Sequence, residues 1–198
     1  MKTNTFTYFF PEKPSLISKD QPLTARLSAD PGYVAERKYN GIRLQLHFLN
    51  GKWQFWGRHH DLLKFIPNAE LLAALKALPL EGYCLFDGEL RNNKTKGVRQ
   101  KIMLFDVFIW NGEILAGMPF SERRAIVESL VPVDGEPIGC PFEFKDKFIG
   151  VFNEVITDDE IEGIVIKNTK AVFKISRTSP VDSTWMFKVR KPSKKYKI

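Results

Sequence analysis

Regular alternation of apolar and polar positions begins at Val34, the first strand-like stretch of the chain. Leu44, Leu46 and Phe48 then alternate with Gln45 and His47, and Asn50-Gly51 separates them from a second run that starts at Trp53 and Phe55. Asn-Gly between two alternating runs predicts a tight hairpin, because both turn positions need positive φ. The pattern therefore places Lys38 and Arg43 beside an antiparallel sheet. Asn68–Leu78 (NAELLAALKAL) has the helical period, with Asn68 as its N-cap. Tyr83–Leu90 and Ile102–Trp110 are dense apolar runs that read as buried strands. Ser121 is expected to cap a helix through Leu130, with Glu122, Arg123 and Arg124 near its start. Gly163–Ile166 and Trp185–Val189 are strand-like again. Strands and helices follow one another without βαβ regularity, which predicts an α+β fold built on antiparallel sheets. Residues 1–30, with several prolines and little periodicity, are expected to be an irregular lead-in, 31–192 one domain, and 193–198 a basic tail.

Composition narrows the class. The 198 residues are 43% hydrophobic and 13% aromatic, enough for a sizeable core and against global disorder. Thirty Lys+Arg against 23 Asp+Glu leave a net charge of +7, which favours a polyanionic partner. Cys84 and Cys140 stand in unrelated contexts without metal-ligand spacing, so buried thiols in a reducing compartment are expected and a zinc site is not. The N-terminus lacks a charged-then-apolar signal arrangement, and no apolar run is long enough to cross a bilayer. A soluble, intracellular protein is expected, cytoplasmic or viral and acting inside the host cell.

Candidate chemistry lies in short segments that are ordinary singly: Lys38-Tyr39-Asn40-Gly41-Ile42-Arg43, Gly57-Arg58-His59-His60-Asp61, Phe86-Asp87-Gly88-Glu89, Phe105-Asp106, Glu162-Gly163-Ile164-Val165-Ile166-Lys167, and the alternating Lys188 and Arg190. A lone surface lysine beside a glycine turn, or an aromatic within an apolar run, carries no function by itself. In this order, from Glu36 to Lys191, the set resembles the motifs of the covalent nucleotidyltransferases, most closely the ATP-dependent DNA ligases. Their first motif has the form KxDGxR, matched by Lys38–Arg43. Arg58 matches the arginine loop after the hairpin, Phe86–Glu89 and Phe105-Asp106 the two middle motifs, Glu162–Lys167 the EGxVxK motif, and Lys188 with Arg190 the basic strand.

The resemblance implies an ATP-grasp-like adenylation domain, with antiparallel sheets flanked by helices and the nucleotide in the groove between them. Lys38 is then the nucleophile that becomes attached to AMP. The chemistry needs a neutral amine, which neighbouring cations or desolvation can supply, and Arg43, Lys188 and Arg190 are the cations available. By the same resemblance Glu36 contacts the adenine or holds its strand, Phe105 stacks on the adenine, Arg58 contacts a phosphate or the ribose, and Glu89 and Glu162 hold Mg²⁺ or Mn²⁺. Asp87 and Asp106 are read as satisfying turns or backbone amides, and His59 and His60 as loop residues without chemistry. The partners implied are ATP and nicked double-stranded DNA, or RNA, with a monomer expected and no membrane.

Two departures qualify the match. Asn40 stands where DNA ligases usually carry Asp, which weakens the assignment to DNA, whereas Arg43 strengthens it. The chain also ends shortly after Arg190, leaving no room for the OB-fold domain that follows in the family, so it is expected to be an excised catalytic domain or a minimal protein that reacts slowly with free ATP. The competing readings are an RNA ligase or RNA-end adenylyltransferase and a non-catalytic nucleic-acid-binding module. A capping guanylyltransferase fits the Phe86–Arg91 and Glu162–Lys167 segments less well, and the chain has no room for the nicotinamide-binding module of an NAD⁺-dependent ligase.

Overall fold

A computed structural model of the chain describes residues 3–91, 97 and 99–192; the basic stretch 193–198 lies outside the described residues. In chain order the elements are β1 (Lys13–Leu16), α1 (Pro22–Ala29), β2 (Tyr33–Tyr39), β3 (Ile42–Leu49), β4 (Lys52–Gly57), α2 (Ala69–Ala77), β5 (Cys84–Arg91) and β6 (Lys101–Trp110). There follow β7 (Glu113–Ile114), α3 (Phe120–Leu130), β8 (Ile138–Gly139), β9 (Glu143–Phe144), α4 (Phe148–Val155), β10 (Ile161–Asn168) and β11 (Asp182–Arg190). The α+β class holds. The chain divides into two compact units, each assembled from three stretches of chain.

The larger unit comprises the described residues within 3–12, 41–141 and 170–181. Its sheet runs β4-β3-β5-β6-β7, with β8 added to β6 in parallel. Asn50 and Gly51 turn β3 into β4 with φ of 52° and 73°, the positive values that Asn-Gly supplies with least strain. Leu44, Leu46, Phe86 and Leu90 fill one face of the sheet, and α3 packs on β6. Asn68 caps α2 as expected, its Oδ1 accepting the Leu71 amide at 2.9 Å. The α3 helix begins at Phe120, one residue before the expected Ser121 cap. The Phe120 ring is fully buried and its amide donates to the Ala171 carbonyl at 2.8 Å, so that N–H has a partner without a side-chain cap. Cys84 and Cys140 are both buried free thiols.

Among the described residues the smaller unit comprises 13–40, 142–169 and 182–192. Its sheet runs β1-β11-β10-β2-β9; three of its pairings are antiparallel, and β1 joins β11 in parallel. Residues 13–29, expected to be irregular, thus hold a strand and a helix. With four and eight residues these elements are too short to show a period in the sequence. Helix α4 packs on α1 and β10 through Phe148, Val151, Phe152 and Val155, an i, i+3, i+4, i+7 stripe. Among the described residues no helix is long and apolar enough to cross a membrane.

Candidate adenylylation site

In the smaller unit, cross-strand register gathers charge on one sheet face. Gly163 of β10 lies between Lys38 of β2 and Arg190 of β11; one row further on, Val165 lies between Glu36 and Lys188. Directly opposed residues of antiparallel strands share a face, and so do residues two apart on one strand. Lys38, Glu36, Lys188, Arg190 and Lys167 therefore project to the same side. The β2–β10 register steps from Tyr39↔Ile161 to Lys38↔Gly163, so Glu162 is an extra residue in a bulge. The bulge lets Glu162 reach the Lys38 ammonium, with which it forms an ion pair at side-chain exposures of 25% for Lys38 and 31% for Glu162. Gly163 has φ of 152°, and a Cβ there would strike the Val189 carbonyl oxygen and lie 2.7 Å from Arg190 Cα. A glycine at this position is what allows β11 to close against the bulge.

Glu36 accepts from Lys167 Nζ at 2.6 Å, both side chains being almost fully buried. That pair braces the row beside Lys38, and Lys167 is a partner that sequence reasoning did not single out although it ends the Glu162–Lys167 motif. Burial, with the charges of Arg190 and Lys38 adding to it, pushes the Lys188 ammonium below its ordinary value. Arg190 is exposed.

In the larger unit, Arg43 of β3 lies directly opposite Glu89 of β5. Its guanidinium forks onto Asp87, Nε to Oδ1 at 3.0 Å and Nη2 to Oδ2 at 2.6 Å, while Nη1 donates to the Glu12 carbonyl at 2.7 Å. Burial opposes the charge, yet Asp87, with Glu89 and Asp106 behind it, outweighs burial and holds the Arg43 guanidinium above its ordinary value. The Gly41 backbone sits against Glu89: a Cβ there would lie 2.6 Å from both Glu89 Cγ and the Leu90 carbonyl.

The reading of Asp87 as a turn residue does not hold, because it lies within β5 and is the bidentate partner of Arg43. Asp106 does accept a backbone amide, Val107 N at 2.8 Å, and also takes both arms of Arg123. Phe105 is half-buried between the buried Leu104 and Asp106. Because Gly88 pairs with Leu104 and Asp87 with Asp106, Phe105 is the extra residue of a bulge in β6. Arg58 is exposed in the turn after β4, where its Nε donates to His59 Nε2 at 3.1 Å. His60, in the same turn, stacks on Tyr8 at 4.3 Å between ring centroids.

Among the described residues no cluster of three or more His, Cys, Asp or Glu side chains forms a cage for a metal ion. Glu162, a part-exposed carboxylate, is by its chemistry a hard oxygen donor of the kind that suits Mg²⁺ or Mn²⁺.

Residues 89–188, half of the chain, match the sequence model of the ATP dependent DNA ligase domain. The chain is 26% identical over 146 residues to the DNA ligase of Methanocorpusculum labreanum, covering 63% of this chain and 27% of that protein. It is 25% identical over 162 residues to the SPbeta prophage-derived DNA ligase-like protein LigB of Bacillus subtilis, covering 76% and 59% respectively. The chain thus spans less than two thirds of either relative's length. Its fold is similar to that of the ligase domain of M. tuberculosis LigD, with a TM-score of 0.66 at 16% identity over 93% of this chain and 61% of that one. A mycobacterial DNA ligase D complexed with ATP and MES gives a TM-score of 0.65 at 15% identity, over 89% of this chain and 60% of that one. By its sequence match and its fold, the chain belongs to the ATP-dependent DNA ligase domain family.

Proposed function

We propose that the chain carries out ATP-dependent adenylyl transfer in the sealing of nicked DNA, with Lys38 as the nucleophile. The observation that carries this reading is the Lys38 amine, paired with Glu162 on a sheet face that also bears Lys167, Lys188 and Arg190. In the first step the neutral Lys38 amine forms a bond to the α-phosphorus of ATP, and the bond to pyrophosphate breaks. The lysyl-AMP then passes its AMP to the 5′-phosphate of a nick. The neighbouring 3′-hydroxyl attacks that activated phosphate, forming the phosphodiester and releasing AMP.

The chain's own groups hold and orient the reactants. Lys188 and Arg190 meet phosphate charge beside Lys38, and Phe105 offers a ring face to the base. Glu36, braced by Lys167, holds the strand that carries Lys38. Arg43 acts from its fork on Asp87, and Arg58 reaches phosphate or ribose from an exposed turn. A divalent cation, Mg²⁺ or Mn²⁺, held by Glu162 or Glu89 together with nucleotide phosphates, would neutralise phosphate charge. The net charge of +7 suits a nicked polynucleotide bound largely through its backbone.

The test is sealing of a 5′-phosphorylated nick, followed on a denaturing gel, with all-DNA and all-RNA duplexes in parallel and Lys38→Ala alongside. Wild-type sealing of the DNA nick and none by Lys38→Ala is the expected result. Preference for the RNA nick would move the assignment to RNA ligation. Binding of nicked duplex without adenylyl transfer would indicate a module that keeps the fold for binding.

A further inference from the structure

We propose that Arg123 is a positioning residue for the nucleobase, acting through Asp106 to fix the β6 bulge that presents Phe105. The proposal rests on the reading of Phe105 as the surface on which the base stacks. Arg123 heads the largest fully buried side chains, at 0% exposure, and a guanidinium is tolerated there only if its partners are complete. Nε and Nη2 donate to the two Asp106 oxygens at 2.7 and 2.8 Å. Nη1 donates to the carbonyls of Met118 and Ala171 at 2.5 and 3.3 Å. The Phe173 and Phe120 rings flank the guanidinium carbon at 5.1 and 5.8 Å. Arg123 therefore has one orientation, set from α3 and from the segment at Ala171.

That fixed group reaches the backbone beside Phe105. Asp106 Oδ1 also accepts the Val107 amide, so one carboxylate ties the chain directly after Phe105 to Arg123. Across the sheet Asp106 is the register partner of Asp87. Two like charges directly opposed on neighbouring strands repel, and here each has its own bidentate arginine: Arg43 on Asp87 and Arg123 on Asp106. Without the fork Asp106 is no longer held in one orientation, and the bulge backbone that carries Phe105 shifts with it. The loss falls on base recognition and not on the Lys38 amine.

The test is the ATP dependence of lysyl-AMP formation by the full chain, with Arg123→Lys, Phe105→Ala and the double variant, and with inhibition by inorganic pyrophosphate as a ligand that has no base. Arg123→Lys keeps the charge and loses the fork. The half-saturating ATP concentration is expected to rise about tenfold, the scale of one lost base–aromatic stack. The maximal rate and pyrophosphate inhibition should change by less than about twofold, as for a loss of binding alone. The double variant should be no worse than Phe105→Ala, because both substitutions remove the same contact. If Phe105→Ala leaves ATP dependence unchanged, the stacking reading itself falls. If Phe105→Ala weakens ATP binding while Arg123→Lys does not, the positioning role is overturned. Multiplying effects, or an equal loss of pyrophosphate inhibition, also overturn it by showing a general structural defect. Melting curves check folding; should Arg123→Lys not fold, Asp106→Asn, which keeps an acceptor oxygen for Val107 N, takes its place with the same expectations.

Discussion

Replacing Gly163 by Ala tests whether the Lys38 face depends on close approach of two backbones. A Cβ at Gly163 would run into the Val189 carbonyl oxygen and Arg190 Cα, both main-chain atoms of β11, so no side-chain rotation relieves the overlap. The residue's φ of 152° is itself disfavoured for an L side chain. Overpacking costs about 1–3 kcal/mol, and holding a non-glycine residue in such a conformation costs about 1–3 kcal/mol more. Together they predict a loss of about 2–6 kcal/mol, a large part of the roughly 5–15 kcal/mol that stabilises a typical domain. Urea unfolding followed by circular dichroism measures it as a lower midpoint with an unchanged slope. The row Lys38–Gly163–Arg190 is where the strands must part, so adenylylation should fall further than the residual folded fraction accounts for. An unfolding free energy within about 0.5 kcal/mol of wild type, the range of neutral surface substitutions, would refute the close approach.

Gly150→Ala is the opposite case: it lies inside α4 with only Lys147 Cβ near, at 4.0 Å, and should gain about 0.5–1 kcal/mol in the same unfolding experiment. Lys167→Met leaves Glu36 buried without its ammonium and should cost about 3–5 kcal/mol, while adding Glu36→Leu should recover most of that loss in thermal melts. Burial lowers the His47 pKa from 6.5 to about 3, so the unfolded chain takes up the proton first as pH falls. This contribution is complete above pH 6.5 and is lost between 6.5 and about 3, and His47→Leu should flatten that part of the stability profile relative to wild type.

Local order was legible where it leaves a local pattern. Asn50-Gly51 marked the β3–β4 hairpin and Asn68 the start of α2, because turn and cap geometry depend on a few adjacent residues. The strands that carry Lys38, Glu89, Glu162 and Lys188 were readable from period and motif together. Helix α4 has a complete apolar stripe from Phe148 to Val155 that could have been read and was not. Strand β1 and helix α1 left little to read, since their order comes from β11 and α4, remote in the chain.

The braces behind the candidate site were not legible at all. Arg43–Asp87, Arg123–Asp106 and Glu36–Lys167 join residues from different elements, and periodicity carries no information about such pairs. Asp87 and Asp106 were read as satisfying turns or backbone amides because Asp in a strand interior is disfavoured unless something buries its charge with a partner, and only the amide on Asp106 was met. The division into two units was hidden for a related reason: each is assembled from three separate stretches of sequence.

The central claim is that Lys38 takes AMP from ATP. Incubation of the full chain with ATP and Mg²⁺, followed by intact mass spectrometry and peptide mapping, tests it directly. The account predicts a mass gain of one AMP, lodged on the peptide containing Lys38, absent from Lys38→Ala and reversed by pyrophosphate. An adduct on another residue, or one that persists in Lys38→Ala, would contradict it.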